Sequence, residues 1–178
     1  MEILRTIVLY VEGKDMPFAV IGGHAVNAYG IARHTADLDL AARSSDRDAW
    51  FTLMGKLNYT VGQSDGQFAK FSPGSLAAWP IDFMFVDDDT LSKLLDDSVE
   101  TTFGAARARV VSARHLATLK IHSLRHFQAH RYAKDLSDLV SLLRSGNTGL
   151  SDSDLKDLCV RYADVTLYER LKQELPLR

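Results

Sequence analysis

The sequence predicts an α/β fold of the α+β kind, in which helices flank a mixed, twisted sheet and a helical bundle follows. Short apolar runs such as residues 18–21 and 81–86 indicate buried strands. Segments with helical spacing of apolar residues separate these runs, and from about residue 113 onward only helical spacing remains. With 178 residues, of which 46% are hydrophobic and 25% charged, the chain has the composition of an ordinary globular protein.

Apolar spacing and turn residues place the individual elements along the chain. Asp87, Asp88 and Asp89 end a strand and cap the following helix, and Ser151 or Asp152 caps a later one. A boundary near 104 separates an α/β core, 1–104, from a helical part, 105–178. Helices are predicted over 3–13, 24–30, from a 44–46 cap to 56, 90–95, 113–128, 131–144, 152–163 and 165–174, and strands over 18–21, 37–42, 59–61, 67–71, 81–86 and 108–111.

The sequence carries no sign of export or of a membrane span. No apolar run is long enough to cross a bilayer, and the N-terminal segment is acidic and lacks a small-residue cleavage site. A single cysteine, Cys159, cannot form an internal disulfide, and we expect it to be a small buried residue. These features predict a cytoplasmic protein.

Charge is unevenly distributed along the chain. Residues 105–144 hold eight lysines and arginines against two aspartates, a net charge of +6, which leaves −8 for the rest of a chain of net charge −2. A basic segment facing an acidic site would attract a triphosphate or a nucleic acid. For its outermost arginines, a solvated helix face is the simpler interpretation.

The most informative stretch is 18–40, FAVIGGHAVNAYGIARHTADLDL. After the first apolar run, Gly22 and Gly23 let the backbone turn and approach a ligand, since they have no Cβ. The next helix is predicted to start at about His24, so its free N–H groups face the same opening. This arrangement predicts a phosphate-binding turn.

Asp37 and Asp39 follow on the predicted second strand. Residues two apart on a strand share a face, so the two carboxylates would point the same way while Leu38 and Leu40 pack behind them. Paired carboxylates repel each other unless a cation lies between them, and Mg²⁺ prefers oxygen ligands. The alternative is a tight turn followed by a solvated acidic strand, which the low strand preference of aspartate disfavours.

Asp82 lies inside the apolar and aromatic run 81–86. A carboxylate there is costly to bury unless it is paired or bound to a metal.

The stretch 18–40 resembles the signature of the DNA polymerase β-like nucleotidyltransferase superfamily, and its Arg33, Thr35, Asp37 and Asp39 pattern resembles the AbiEii/AbiGii toxin branch. The resemblance implies a third metal-binding carboxylate on a neighbouring strand, for which Asp82 is the candidate. It also implies an NTP substrate bound through Gly22, Gly23, Arg33 and Thr35. Two Mg²⁺ ions would be held by the three aspartates, one activating an acceptor hydroxyl and one stabilising the leaving pyrophosphate.

Charged residues also fall within the apolar stripes of two predicted helices. Lys120 lies in the stripe of 113–128, between Phe127 and Leu124. Asp135 lies in the stripe of 131–144, and Asp138 lies at its edge. Opposite charges on facing stripes could simply pair and lock the two helices together.

The family resemblance implies a different role for this group, in which Lys120, Asp135 and Asp138 bind and orient the nucleotide and Lys120 and Arg33 offset developing negative charge. Arg125 and Arg131 compete for the place of an arginine that family members usually carry.

His122, His126 and His130 repeat every four residues and line one helix face. Such a row could bind zinc, but no further ligand accompanies it at the expected spacing, so an exposed and mildly basic face is the preferred interpretation.

The resulting hypothesis is an enzyme that moves an NMP from an NTP to an acceptor hydroxyl, of a tRNA 3′ end or a protein, with release of pyrophosphate. By resemblance it would be the toxin of a toxin–antitoxin pair with a cognate antitoxin. Two alternatives stay open: a catalytically silent module that binds a nucleotide or a partner, and a regulator that binds nucleic acid through its basic helices.

Overall fold

A computed structural model describes residues 2–76, 78–125 and 129–175, leaving the side chains of residues 129 and 130 undescribed. The chain forms two compact units. The first unit comprises residues 1–28 and 32–111, and the second comprises residues 29–31 and 112–178. The boundary predicted near residue 104 falls within the first unit, in the turn between its last two strands, and the division between the units follows Val111.

A seven-stranded mixed sheet forms the centre of the first unit. Its spatial order is β3-β4-β5-β2-β1-β7-β6, with β1 parallel to β7 and β2 parallel to β5 and the other neighbours antiparallel. The strands are β1 (Phe18–Val20), β2 (Leu38–Arg43), β3 (Tyr59–Ser64), β4 (Phe68–Pro73), β5 (Ile81–Val86), β6 (Val99–Phe103) and β7 (Ala106–Val110). This mixed sheet with its helices confirms the predicted fold class.

Four α-helices accompany the sheet in the described part of the first unit. They are α1 (Glu2–Val11), α2 (Gly22–Ala28), α3 (Arg47–Lys56) and α4 (Asp88–Asp96), and a 3-10 turn over Ser44–Asp46 precedes α3. Asp87 caps α4, as predicted, by accepting a hydrogen bond from the Thr90 N–H at 2.7 Å. That bond holds the pKa of Asp87 below its usual value, because it stabilises the ionised carboxylate.

Alternation along β2 and β5 sorts apolar from acidic side chains. Leu38, Leu40, Ile81 and Phe83 are buried on one face, and Trp50 of α3 packs against Phe83 with a ring-centroid distance of 4.9 Å. The opposite face therefore carries the intervening residues of both strands, which include the acidic ones.

The second unit is helical. Its helices are α5 (Ala113–Arg125), α6 (Ala129–Ser145), α7 (Asp152–Tyr162) and α8 (Val165–Glu174). Ser151 caps α7 in a reciprocal arrangement with Asp154, which confirms one of the two predicted caps. The apolar stripes of the four helices meet in one core, formed by Ala117, Ile121, Leu124, Leu136, Leu139, Val140, Leu155, Cys159, Leu167, Tyr168 and Leu171.

Cys159 is fully buried in this core, as predicted. Burial raises the pKa of its thiol to about 11, so the thiol is protonated at neutral pH and is a packing residue rather than a nucleophile.

The structure corrects a few predicted elements. Strand β6 was not predicted. Most of its residues are exposed, so its sequence contains no apolar run, and the strand is held in place by antiparallel pairing with β7. Helix α2 begins at Gly22, two residues before the predicted start. Phe127 and His126 lie outside the described residues, as does the His130 side chain, so the predicted histidine row is not tested. No helix in the described ranges is long and apolar enough to cross a membrane.

Candidate active site

Three carboxylates converge on one face of the sheet in the first unit. Asp39 on β2 and Asp82 on β5 are direct partners in the parallel ladder, so their side chains leave the sheet on the same side. Asp37 immediately precedes β2. One oxygen from each of the three carboxylates lies within 4.8 Å of the others, and all three residues are half-buried. The structure thus brings together the acidic residues that the sequence singled out.

The glycine turn lies directly against this cluster. Gly22 has φ of +63°, a left-handed conformation that favours glycine. A Cβ on Gly22 would lie 1.9 Å from the Asp39 Oδ2 atom, so no other residue fits without moving that carboxylate. The Gly23 N–H donates to the same oxygen at 3.4 Å, which orients Asp39.

Arg33 and Thr35 pack against the second glycine. A Cβ on Gly23 would lie 1.8 Å from Arg33 Nη1 and 2.5 Å from Thr35 Oγ1. The Thr35 hydroxyl donates to Asp37 Oδ1 at 2.8 Å, so Thr35 orients an acidic residue of the cluster. The Arg33 backbone N–H donates to Asn27 Oδ1 at 2.9 Å, which ties the segment before β2 to helix α2.

His24, the residue after the glycine pair, is buried and stacks on Trp79 with a ring-centroid distance of 4.8 Å. Its Nε2 atom has no hydrogen-bond partner among the described residues. Burial lowers the pKa of His24, and Asp37 only partly opposes this effect. His24 is therefore a neutral, packed imidazole beside the acidic cluster, a role that the sequence prediction did not assign.

Lys70 on β4 is a second residue that sequence reasoning missed. It is the direct partner of Asp82 in the antiparallel ladder, and its Nζ lies 3.2 Å from Asp82 Oδ2. The alternation Ala69, Lys70, Phe71 indicates that Lys70 faces away from the core, but only the strand register shows which carboxylate it meets.

The donor set of the cluster suits a hard divalent cation. Mg²⁺ prefers carboxylate oxygens, and here three of them lie close enough to share an ion while the glycine turn closes one side. The assignment of Asp37, Asp39 and Asp82 as metal ligands remains a prediction that this geometry supports.

Lys120, Asp135 and Asp138 lie in the second unit and form a buried ion cluster there. Lys120 Nζ donates to Asp135 Oδ1 at 2.6 Å and to Asp138 Oδ2 at 2.8 Å, and Ser123 donates to Asp135 Oδ2 at 2.8 Å. The side chains of the lysine and the two aspartates are 9%, 7% and 6% exposed. The structure therefore shows the pairing between helices that the sequence left open.

Asp135 is ionised within this cluster. Burial by itself raises its pKa, but Lys120 and the Ser123 hydrogen bond outweigh burial and bring the pKa below its usual value. A role for Lys120, Asp135 and Asp138 in nucleotide binding stays a prediction.

Comparison with protein families identifies the family to which the chain belongs. Residues 3–167 match the family described as nucleotidyl transferase AbiEii toxin, type IV toxin–antitoxin system. The chain belongs to this AbiEii family. The match covers nearly the whole chain and confirms the predicted resemblance. A search of curated proteins found no match.

Solved structures share the fold of this AbiEii family member. The antibiotic-resistance factor ANT(2'')-Ia is 14% identical with a TM-score of 0.67, over 97% of this chain and 94% of its own. A nucleotidyltransferase-like protein from Paracoccidioides brasiliensis is 17% identical (TM-score 0.61, 98% and 88%). The lincosamide antibiotic adenylyltransferase LnuA, solved with lincomycin bound, is 15% identical (TM-score 0.56, 79% and 96%).

Membership of this family supports a nucleotidyltransferase, for which a nucleoside triphosphate is the implied substrate.

Proposed function

We propose that this protein transfers an NMP from an NTP to an acceptor hydroxyl and releases pyrophosphate, in a reaction that depends on Mg²⁺. The observation that carries the proposal is the convergence of Asp37, Asp39 and Asp82 beside the glycine turn. A mere structural turn would not need three half-buried carboxylates within 4.8 Å of one another, because they repel when no cation is near.

Asp37, Asp39 and Asp82 would hold the ions, and bound Mg²⁺ would supply positive charge to the reacting hydroxyl and to the leaving phosphates. Thr35 and the Gly23 N–H keep Asp37 and Asp39 in place through the hydrogen bonds described above. This preorganisation matters because nucleotidyl transfer depends mainly on positioning and electrostatics.

The glycine turn would receive the β- and γ-phosphates, with the guanidinium of Arg33 packed over Gly23 to offset their charge. In the reaction, the acceptor oxygen bonds to the α-phosphorus while the bond between that phosphorus and the bridging oxygen of the leaving pyrophosphate breaks. The hydroxyl proton leaves to solvent. Nucleotide contacts by Lys120, Asp135 and Asp138 are retained as a separate prediction.

The AbiEii family description supports a toxin of a toxin–antitoxin system, so we propose that the protein has a cognate antitoxin. For the acceptor we propose the hydroxyl of a tRNA 3′ end or of a protein. Both acceptors present the nucleophile that the reaction requires.

A second candidate is a silent module that binds nucleotide without chemistry. The ion pair between Lys70 and Asp82 favours it, because a lysine supplies counter-charge to the cluster without any metal.

Transfer assays separate the two functions. The wild-type protein and the Asp39→Asn variant would each be incubated with every α-labelled NTP in turn, with Mg²⁺ and either cell RNA or cell protein. We expect label to enter one acceptor pool with the wild-type protein and only with a divalent cation. Nucleotide binding that survives in Asp39→Asn, with no label transferred by either protein, would instead establish the silent module.

A further inference from the structure

One face of the sheet carries four features in a fixed order. The glycine turn follows β1, Asp39 lies on β2, Asp82 on β5 and Lys70 on β4, and these four strands are consecutive neighbours. Register places Asp39 beside Asp82 and Asp82 beside Lys70. The carboxylates therefore have the glycine turn on one side and a lysine on the other.

This order of features along the sheet places the leaving group and the acceptor of the proposed reaction on opposite sides of the carboxylates. In phosphoryl transfer the attacking and leaving oxygens lie roughly in line on opposite sides of the phosphorus. If the leaving phosphates bind at the glycine turn, the acceptor hydroxyl reaches the α-phosphorus from the side of Asp82 and β4. Lys70 lies on that side. This step rests on the proposed function.

The sheet surface around Lys70, on the proposed acceptor side, is exposed to solvent. The Lys70 side chain is 52% exposed, whereas that of Asp82 is 24% exposed. Beyond Lys70, Ser72 of β4 and Thr60 of β3 are exposed as well. Within the described residues, Lys70 makes its one ion pair with Asp82, so the lysine is tied to the acidic cluster and not to another part of the surface.

The ammonium of Lys70 and a divalent cation would share the Asp82 carboxylate. Their charges repel, so Lys70 lowers the affinity of the cluster for a metal when no nucleotide is present. The phosphates of a bound NTP offset that repulsion, because they add negative charge beside the same carboxylates. Metal and nucleotide would then bind together.

We propose that Lys70 is a positioning residue that acts as a built-in counter-ion of the Asp37, Asp39 and Asp82 cluster on its acceptor side. It orients Asp82 before the metal arrives, and it couples metal binding to nucleotide binding.

The test measures Mn²⁺ binding to the nucleotide-free protein by electron paramagnetic resonance, for wild type, Lys70→Met and Lys70→Arg. We expect Lys70→Met, which removes the charge but keeps the length, to bind Mn²⁺ about three- to tenfold more tightly. Lys70→Arg should stay within twofold of wild type. Lys56→Met, which removes an exposed lysine at the end of α3, is the matched control and should change nothing.

Unchanged Mn²⁺ affinity in Lys70→Met, weaker binding, or no binding by either protein would overturn the proposal. Lys70→Gln provides a second variant without charge if the methionine variant folds poorly. A steady-state assay adds that Lys70→Met should raise KM for the acceptor more than KM for the NTP. If wild type transfers no nucleotide, the proposed function fails, while the Mn²⁺ measurement still decides the role of Lys70.

Discussion

Asp39 and Asp82 are direct partners across the parallel strands β2 and β5, although 42 residues of sequence separate them. Because the two residues are paired in register, both carboxylates project from the same face of the sheet. This proximity makes the acidic residues a candidate metal site.

Replacing either carboxylate should abolish transfer without unfolding the protein. We expect Asp39→Asn and Asp82→Asn to lower the rate of nucleotide transfer at least about a hundredfold, because each removes an anionic metal ligand. The thermal midpoint should stay close to that of the wild type, since repulsion within the cluster falls and, in Asp82→Asn, this offsets the loss of the exposed ion pair with Lys70. Label-transfer rates and thermal unfolding measure the two effects. Asp96→Asn, at an exposed position of α4, should leave the transfer rate unchanged.

Gly22→Ala should disturb the site through Asp39. The substitution places a Cβ 1.9 Å from Asp39 Oδ2 in addition to the strain of φ +63°. Gly13→Ala is the matched control, because Gly13 has φ of +72° with nothing within 4 Å of its Cβ. Strain alone should cost about 1 kcal/mol in the free energy of unfolding. Only Gly22→Ala should lose more stability than that and also lose transfer activity; equal effects at both glycines would contradict the overlap.

Removing Lys120 should destabilise the helical unit strongly. Lys120→Met leaves the buried carboxylates of Asp135 and Asp138 without their counter-ion, which we expect to cost about 3–5 kcal/mol in the free energy of unfolding. Lys172→Met breaks the more exposed pair with Asp152 and should cost far less, because solvent screens that pair. Urea denaturation measures both.

The same cluster also allows its nucleotide role to be tested. A variant in which Lys120, Asp135 and Asp138 are all replaced by apolar residues of similar size should recover stability, since no unpaired charge remains buried. If that stable variant keeps the wild-type KM for NTP, the cluster is structural only. A large increase in KM would support the predicted nucleotide contacts.

Stability should decline in mild acid because of His24. Its pKa in the folded protein is lowered by burial, so the unfolded chain binds a proton more readily than the folded one. The stabilisation is fully present above about pH 6.5 and is lost as pH falls toward the lowered pKa. His24→Phe, which keeps a ring to stack on Trp79, should reduce the loss in unfolding free energy between pH 7.5 and 5.5. His34→Gln, at an exposed histidine, should retain it.

Local patterns predicted much of the fold. An apolar run identified β5 and the alternation of aspartate and leucine identified β2, while capping residues such as Asp87 and Ser151 marked helix starts. These signals are readable because they depend on neighbours within a few residues. Strand β6 of the hairpin was not predicted, because its mostly exposed residues contain no apolar run.

The local sequence by itself determined a glycine turn, an acidic pair at strand spacing, and a further acid within an apolar strand, since the repeat of a strand or helix decides which side chains share a face. Only tertiary structure decided that Asp82 stands beside Asp39, that Lys70 pairs with Asp82, and that Lys120 is neutralised by Asp135 and Asp138. The reason is that strand order, register and helix pairing join residues far apart in sequence, and they are set by how the whole core packs rather than by any single segment.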